Sequence, residues 1–414
     1  MTHSPDAVAS PDDATTNPSP NLPVVDVDVL IVGSGPSGIS TALHLLKRDP
    51  SFKDRLLVVD KATHPREKLC GGAITFPGEG ILLSLGLDPE VPSFCAAEVR
   101  MMAGSKSVRM RGDHLVRIVH RAEFDRWFVE QARARGVRVQ EGEAVKRVVP
   151  EDAHVVVETT RARYHAKILV AADGSKSFVR HALAWEGEQC VARLLEVLTP
   201  GAPDDHWEYK ERCAAFYLDP VKDGVQGYYW DFPSVVDGEP KMNRGVFDSR
   251  AVSSRDMADL KGALRQELDD RDLSLDDYKL KGHPIRWFDP SGPLARPRVI
   301  LVGDAAGAEP LFGEGITFAI AYGKVATSAI LHAFSSRDFS FSSYKRRVLT
   351  SHVTWQLPFR VWLARMLYRL KSVRALERFA TALGLVVALS PLRNGKWKPN
   401  ARLRARVARA RLSS

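Results

Sequence analysis

Residues 27 to 48, VDVLIVGSGPSGISTALHLLKR, open on a short apolar run, cross a glycine-rich break and resume with apolar positions at helical spacing. A brief apolar run bounded by turn residues predicts a buried strand, and the spacing that follows predicts a helix. RLLVVD at 55 to 60, KILVAADG at 167 to 174 and RVILVGD at 298 to 304 are further buried strands, the last two ending in an acid beside a glycine. Between the helix near 180 and the strand at 298 the pattern changes to short strands rich in aromatic and branched residues, ERCAAFYLD, GYYWDFPS and KMNRGVFD. With FCAAEVRMMAGSKSVRM at 94 to 110 they predict a mainly antiparallel second sheet. A helix begins near Arg121 in RAEFDRWF, and another runs from Gly315 to about Ser335. Beyond it, Phe359 to Leu370 alternates apolar residues with arginines, and Phe379 to Leu389 is more uniformly apolar, which predicts helices with one greasy and one cationic face.

The break G-S-G-P-S-G is where chemistry enters. Gly33 permits a tight turn, Gly35 lets the backbone approach a pyrophosphate, and Gly38 lets the helix pack on the strand, with Ser34, Pro36 and Ser37 between them. The helix start carries about half a positive charge toward the phosphates. Asp60, 22 residues after Gly38, is placed to bind ribose hydroxyls, and Lys61 follows it. FAD and NAD share this fingerprint, and a glycine-rich turn that only packs would read the same way.

Length and composition narrow the field. At 414 residues and 44% hydrophobic, the chain is long and apolar enough for two or three globular domains. Cys70, Cys95, Cys190 and Cys213 lie far apart, with no C-x-x-C pair and no histidines at zinc spacing, which argues against a disulfide framework or a structural metal. The start, MTHSPDAVASPDDATTNPSPNLP, has neither a basic segment nor an apolar one, so residues 1–24 read as a disordered leader and the cytoplasm as the default address. No run of about 18 apolar residues argues for a spanning helix. The net charge is +9, yet from Arg365 onward thirteen basic residues face the single acid Glu377, so the basicity belongs to the tail. Two readings of that tail stand side by side: helices packed on the domain with their arginines in water, or helices laid on the inner face of an anionic membrane. RLRARVARARLSS can attract nucleic acid, but no recognition fold accompanies it, so no specific nucleic-acid partner is expected.

Two more stretches decide the class. PREKLCGG at 65 to 72 puts a proline, four residues and Cys-Gly in the loop after the second strand, and Tyr228 to Pro233 reads Y-x-W-x-F-P. With the acid-ended strands, these segments resemble the FAD-dependent oxidoreductases of the p-hydroxybenzoate hydroxylase-like fold, and within it the geranylgeranyl reductases. The resemblance implies FAD as cofactor, with Asp304 on the ribitol beside Gly303, and backbone N–H groups of Gly315, Ile316 and Thr317 at the flavin ring. It also implies Arg121 and Asp173 near the cofactor, and Cys70, Gly71 and Gly72 over the isoalloxazine. By parity Tyr228, Trp230 and Phe232 share one strand face, and the resemblance turns the motif, Pro233 included, toward a substrate cavity. Arg121 also reads as a solvated first-turn residue, the aromatic face as plain core, and the Cys70 thiol as substrate positioner, proton donor or small hydrophobe.

The expected fold class is α/β. A discontinuous Rossmann-like FAD domain occupies 25–190, with 92–112 lent to the second sheet, and 291–340; a substrate-binding sheet domain occupies 191–290, and a basic helical extension 341–414. The implied activity is reduction of isolated C=C bonds in a polyprenyl chain or similar apolar or lipid substrate, with electrons from NAD(P)H or a ferredoxin-like protein. A monooxygenase or halogenase on the same fold, and a noncatalytic isoprenoid-binding flavoprotein, are the rivals; the Asp173–Gly174 pair resembles the monooxygenases as well.

Overall fold

The computed structural model describes residues 22–187, 190–370, 372–393, 395 and 397–412. Most of the expected leader, residues 1–21, lies outside the described residues; Val24 already belongs to the first strand, Val24–Val32.

The first sheet is built on that strand. It pairs in parallel with Leu56–Asp60 on one side and Arg163–Ala171 on the other, and the ladder continues in parallel to Arg138–Glu141 and to Val299–Leu301. Val29, Leu30 and Ile31 are wholly buried, as expected for strands covered on both faces. Helix Pro36–Arg48 packs against this sheet, and helix Ile316–Ser336 packs along that helix. Ile316–Ser336 is long and apolar enough to cross a membrane, yet 78% of its most apolar window is buried in the protein, which makes it a core helix.

The second sheet runs in the order Lys281–Arg286, Val191–Pro200, Glu239–Asp248, Gly227–Val236, Cys213–Tyr217, Ser93–Ala103, Lys106–Val119 and Ala73–Thr75. Every pairing is antiparallel except Cys213–Tyr217 with Ser93–Ala103. The contribution from the first half of the chain is therefore wider than 92–112: Lys106–Val119 is 14 residues long, and its far end pairs with Ala73–Thr75. The chain thus enters the second sheet directly after the Cys70–Gly72 loop, which fixes that loop where the two sheets meet.

Helices Leu357–Leu367, Val373–Ala388 and Ala401–Leu412 complete the described chain. The first buries Leu357, Val361, Ala364 and Leu367 on one face. The last is held through Arg404 to Glu79, and Asn400 Nδ2 donates to Phe76 O at 2.7 Å.

Candidate active site

One cavity of about 1030 Å³ lies between the sheets, at the upper end of the size range of ligand pockets. It has a polar end and an apolar end, and most of the residues named from the sequence line it.

The polar end starts at the glycine turn. Gly33 sits at φ +106°, and a side chain there would strike Ala172 O; a side chain on Gly38 would strike Gly33 O. The turn thus brings the start of helix Pro36–Arg48 to the cavity, with no side chain capping its free N–H groups and no acid in its first turn. Such an end suits a phosphate. Asp60 closes the turn: its Oδ2 accepts from Ser34 N and Ser34 Oγ, both at 2.7 Å, and its Oδ1 accepts from Ala62 N at 2.8 Å. Gly33, Gly35, Pro36, Ser37, Asp60 and Lys61 line the cavity. Ser34, Gly38 and Gly303 do not: Ser34 is turned onto Asp60, and Gly38 and Gly303 serve close backbone packing, Gly303 against Ser37.

Midway, the second helix terminus arrives. Gly315 precedes Ile316–Ser336, again without a side-chain cap, and Gly315, Ile316 and Thr317 all line the cavity opposite Asp304. The preceding loop is folded around the fully buried Glu309, whose carboxylate accepts from the backbone N–H groups of Leu311, Phe312 and Glu314 at 2.9, 2.7 and 2.9 Å. Burial raises the Glu309 pKa, and Arg360 of helix Leu357–Leu367, at 3.7 Å, opposes the rise. Tyr228 and Tyr368 each donate a phenolic hydrogen bond to this loop, at Phe312 O and Leu311 O.

Arg121 is buried, not solvated. It makes a fork onto Asp125, with Nε and Nη2 each 2.8 Å from a carboxylate oxygen, and it lines the cavity. Burial works against its charge, but Asp125 more than offsets this and raises its pKa, so the site keeps a fixed cation. Asp173 also lines the cavity, although its carboxylate is engaged by the hydroxyl of Ser177 at 2.6 Å and by Val179 N at 3.0 Å, so its role is to shape the loop.

Sequence reasoning missed the cluster facing Asp304. Lys68 Nζ lies 3.9 Å from Asp304 and 2.6 Å from His283 Nε2, and Ser175 Oγ is 3.1 Å from the same nitrogen. Burial, then Lys68, pushes His283 down to about 3, so its ring is neutral and accepts from the ammonium. Burial also lowers the Lys68 pKa, against the pull of Asp304. Lys68 stands within the REKLCGG stretch, but His283 comes from an edge strand 215 residues away, and only the register joins them.

Cys70 is half-buried, lines the cavity and accepts weakly from Gly72 N at 3.4 Å. Gly71 faces the aromatic wall so closely that a Cβ would lie 3.1 Å from Phe232 and 3.4 Å from Trp230 Nε1. Behind the loop, Asn243 Nδ2 donates to Cys70 O at 3.3 Å while its Oδ1 accepts from Trp230 Nε1 at 2.8 Å. Glu196 is buried beside them, with Oε2 lacking a partner. Burial pushes its pKa up to about 7, against Asn243, Lys281 and the Cys70 backbone. Neither Glu196 nor Asn243 carries a sequence signal, because each becomes notable only through burial.

Tyr228, Trp230 and Phe232 form one wall, as strand parity requires, with Phe216 and Phe247 added by cross-strand pairing: Phe216 opposite Trp230 and Phe247 opposite Tyr228. Phe216 packs edge-on against Tyr228 and Phe232, with centroids 5.0 Å apart in each pair. Pro233 is corrected: it has the opposite parity, with Tyr229 and Asp231, and does not line the cavity. The apolar end continues through Val99, Met101, Met110, Leu115, Leu194 and Leu392.

Among the described residues no group of three or more His, Cys, Asp or Glu is arranged to hold a metal ion, and the four cysteines form no disulfide. Two uncapped helix starts, with Asp60 lining the cavity near the first and Asp304 opposite the second, fit FAD, beside an apolar chamber. This combination defines a flavin-dependent oxidoreductase.

Comparison with known proteins is in accord. Residues 26–322 match the family described as FAD binding domain, and the chain belongs to that family. It is 27% identical over 342 residues to a digeranylgeranylglycerophospholipid reductase of Thermoplasma volcanium, covering 76% of this chain and 80% of that one. It is 28% identical over 339 residues to a menaquinone reductase of Mycobacterium tuberculosis, covering 76% and 78%. A solved structure of a geranylgeranyl bacteriochlorophyll reductase-like protein of Thermoplasma acidophilum shares the fold, with TM-score 0.73, 20% identity and coverage of 93% of this chain and 96% of that one. Halogenase and monooxygenase structures have the same fold.

Proposed function

We propose that this oxidoreductase reduces isolated carbon–carbon double bonds in a polyprenyl-type chain carried by a lipid, quinone or precursor. The observation that carries the reading is the chemistry of the wall facing the Cys70–Gly72 loop. Its polar tips are already spent: Trp230 Nε1 on Asn243 and Tyr228 Oη on Phe312 O. What remains for a substrate is aromatic and aliphatic area, which suits a long hydrocarbon and leaves the hydroxyl of a phenolic substrate without a partner there. The name of the digeranylgeranylglycerophospholipid reductase relative supports the same substrate class, and that of the menaquinone reductase supports a quinone as carrier.

Reduced FAD, when bound, supplies a hydride to one alkene carbon. The protein positions the chain and excludes water. Gly71 permits close approach between loop and wall, and Arg121 and the start of helix Ile316–Ser336 stabilise negative charge on the cofactor side. Water or the Cys70 thiol delivers the proton to the second carbon. Electrons arrive from NAD(P)H bound transiently or from a ferredoxin-like donor.

The test is reoxidation of the reduced holoprotein without air. Addition of a polyprenyl alkene should restore the oxidised flavin spectrum and yield saturated product. Reoxidation by oxygen alone, with a hydroxylated product, would replace the reading with a monooxygenase, and the absence of both outcomes would point to a noncatalytic binding protein.

A further inference from the structure

We propose that the outer face of helix Leu357–Leu367 seats this protein on an anionic lipid bilayer and that the apolar end of the cavity is filled from there. The inference rests on the polyprenyl reading for what enters, but the docking surface stands on its own observations.

Ten large hydrophobic side chains are exposed on the described chain, and seven of them fall between residues 355 and 389. That concentration is not scatter. Trp355, Phe359, Trp362 and Met366 recur at intervals of four, three and four, so they form one stripe, and Phe359 stacks on Trp362 with centroids 5.8 Å apart. The helix is not exposed through loose docking, because its opposite face is in the core and Arg255 Nη1 donates to Tyr368 O at 2.6 Å just beyond its end. A second exposed group, Leu385, Val386 and Leu389, ends the next helix.

Charge selects the occupant. Arg369, Arg374, Arg378 and Arg393 are exposed in the same stretch of chain, and the one acid of the tail, Glu377, is engaged by Ser105 N and Ser105 Oγ at 2.9 and 2.8 Å. Aromatic rings flanked by exposed arginines match the boundary of a bilayer bearing anionic headgroups. A second copy would bring two cationic faces together. The stripe residues themselves do not line the cavity, but Gln356 and Arg360, each adjacent in sequence to one of them, do, as do Val353 and Leu392. On this proposal a chain leaving the bilayer beside the stripe enters the cavity past Val353, Gln356 and Leu392.

The experiment is sedimentation of the FAD-loaded, full-length protein with phosphatidylcholine vesicles, with and without about a third phosphatidylglycerol. The expected result is binding to the anionic vesicles only, and a drop of about tenfold or more in the bound-to-free ratio for Phe359→Ser/Trp362→Ser, with an unchanged flavin spectrum. Wild-type binding by neither vesicle, equal binding to both, or undiminished binding by the variant would overturn the proposal. Self-association that the variant abolishes, without vesicle binding, would assign the face to a second copy and overturn it as well. A variant that loses its flavin would be replaced by Trp355→Ser/Met366→Ser, judged by the same criteria. The assay contains no alkene and no reductant, so failure of the reductase reading leaves its outcome untouched. A soluble short-chain alkene should be turned over equally by wild type and variant, and only a vesicle-embedded chain should distinguish them.

Discussion

Replacing Glu196 with glutamine tests whether the carboxyl behind the Cys70 loop is held neutral by burial. Its pKa is raised from 4.5 to about 7, with burial as the main cause. Between these values the unfolded chain has released a proton that the fold still holds, so stability falls as pH rises through the window and this one group's contribution is fully lost above about 7. At 1.36 kcal/mol per pH unit, the span amounts to about 3 kcal/mol. Glutamine matches the shape of the neutral acid and does not titrate, so the variant escapes that loss. Taking ~2.1 cal/mol/K per residue over about 400 residues, 3 kcal/mol corresponds to roughly 4 °C in melting temperature. The assay is thermal unfolding of holoprotein and variant, both saturated with FAD, in buffers from about pH 4.5 to 8. The variant's melting temperature relative to wild type should climb by about that amount across the series. A difference that does not change with pH would refute the claim that this carboxyl is neutral in the fold at the acid end and forced to ionise at the other.

Asp304→Ala should weaken FAD retention by about tenfold or more, read by flavin fluorescence on titration, and full occupancy at stoichiometric FAD would refute the ribitol assignment. Cys70→Ala should stay yellow yet turn over alkene more slowly; unchanged single-turnover rates would reduce the thiol to packing. Arg360→Ala strips the buried Glu309 of its cation and should cost about 3 kcal/mol by thermal or denaturant unfolding, with flavin released early in the transition if the loop before Gly315 holds it.

The nucleotide half of the site was legible because its requirements are local. A turn at φ +106° and an uncapped helix start need glycine at fixed spacing, and the spacing is visible along one stretch of chain. The aromatic wall was legible in part. Parity placed Tyr228, Trp230 and Phe232 together, but Phe216 and Phe247 joined them through strand register, which depends on loops between distant segments. Parity also argued against Pro233, and the motif resemblance overrode it at the wrong place. The Lys68–His283 pair, the Glu196–Asn243 pair and the Glu309–Arg360 pair were invisible for one reason: each joins residues from different elements, and its significance lies in desolvation. The boundary of the second sheet moved from 92–112 to 73–119 because one long strand outlasted its apolar signature, reading KSVRMRGDHLVRIV with a polar middle.

The Arg360 link and the Tyr368 hydroxyl fasten the loop before Gly315 to the same helix that carries the outward aromatic stripe. The loop that brings Gly315 to the cavity and the outward aromatic face are therefore one mechanical part. A truncation that trims the chain before residue 357 therefore removes more than an appendage; it unbolts the Arg360 and Tyr368 anchors of a cavity-lining loop.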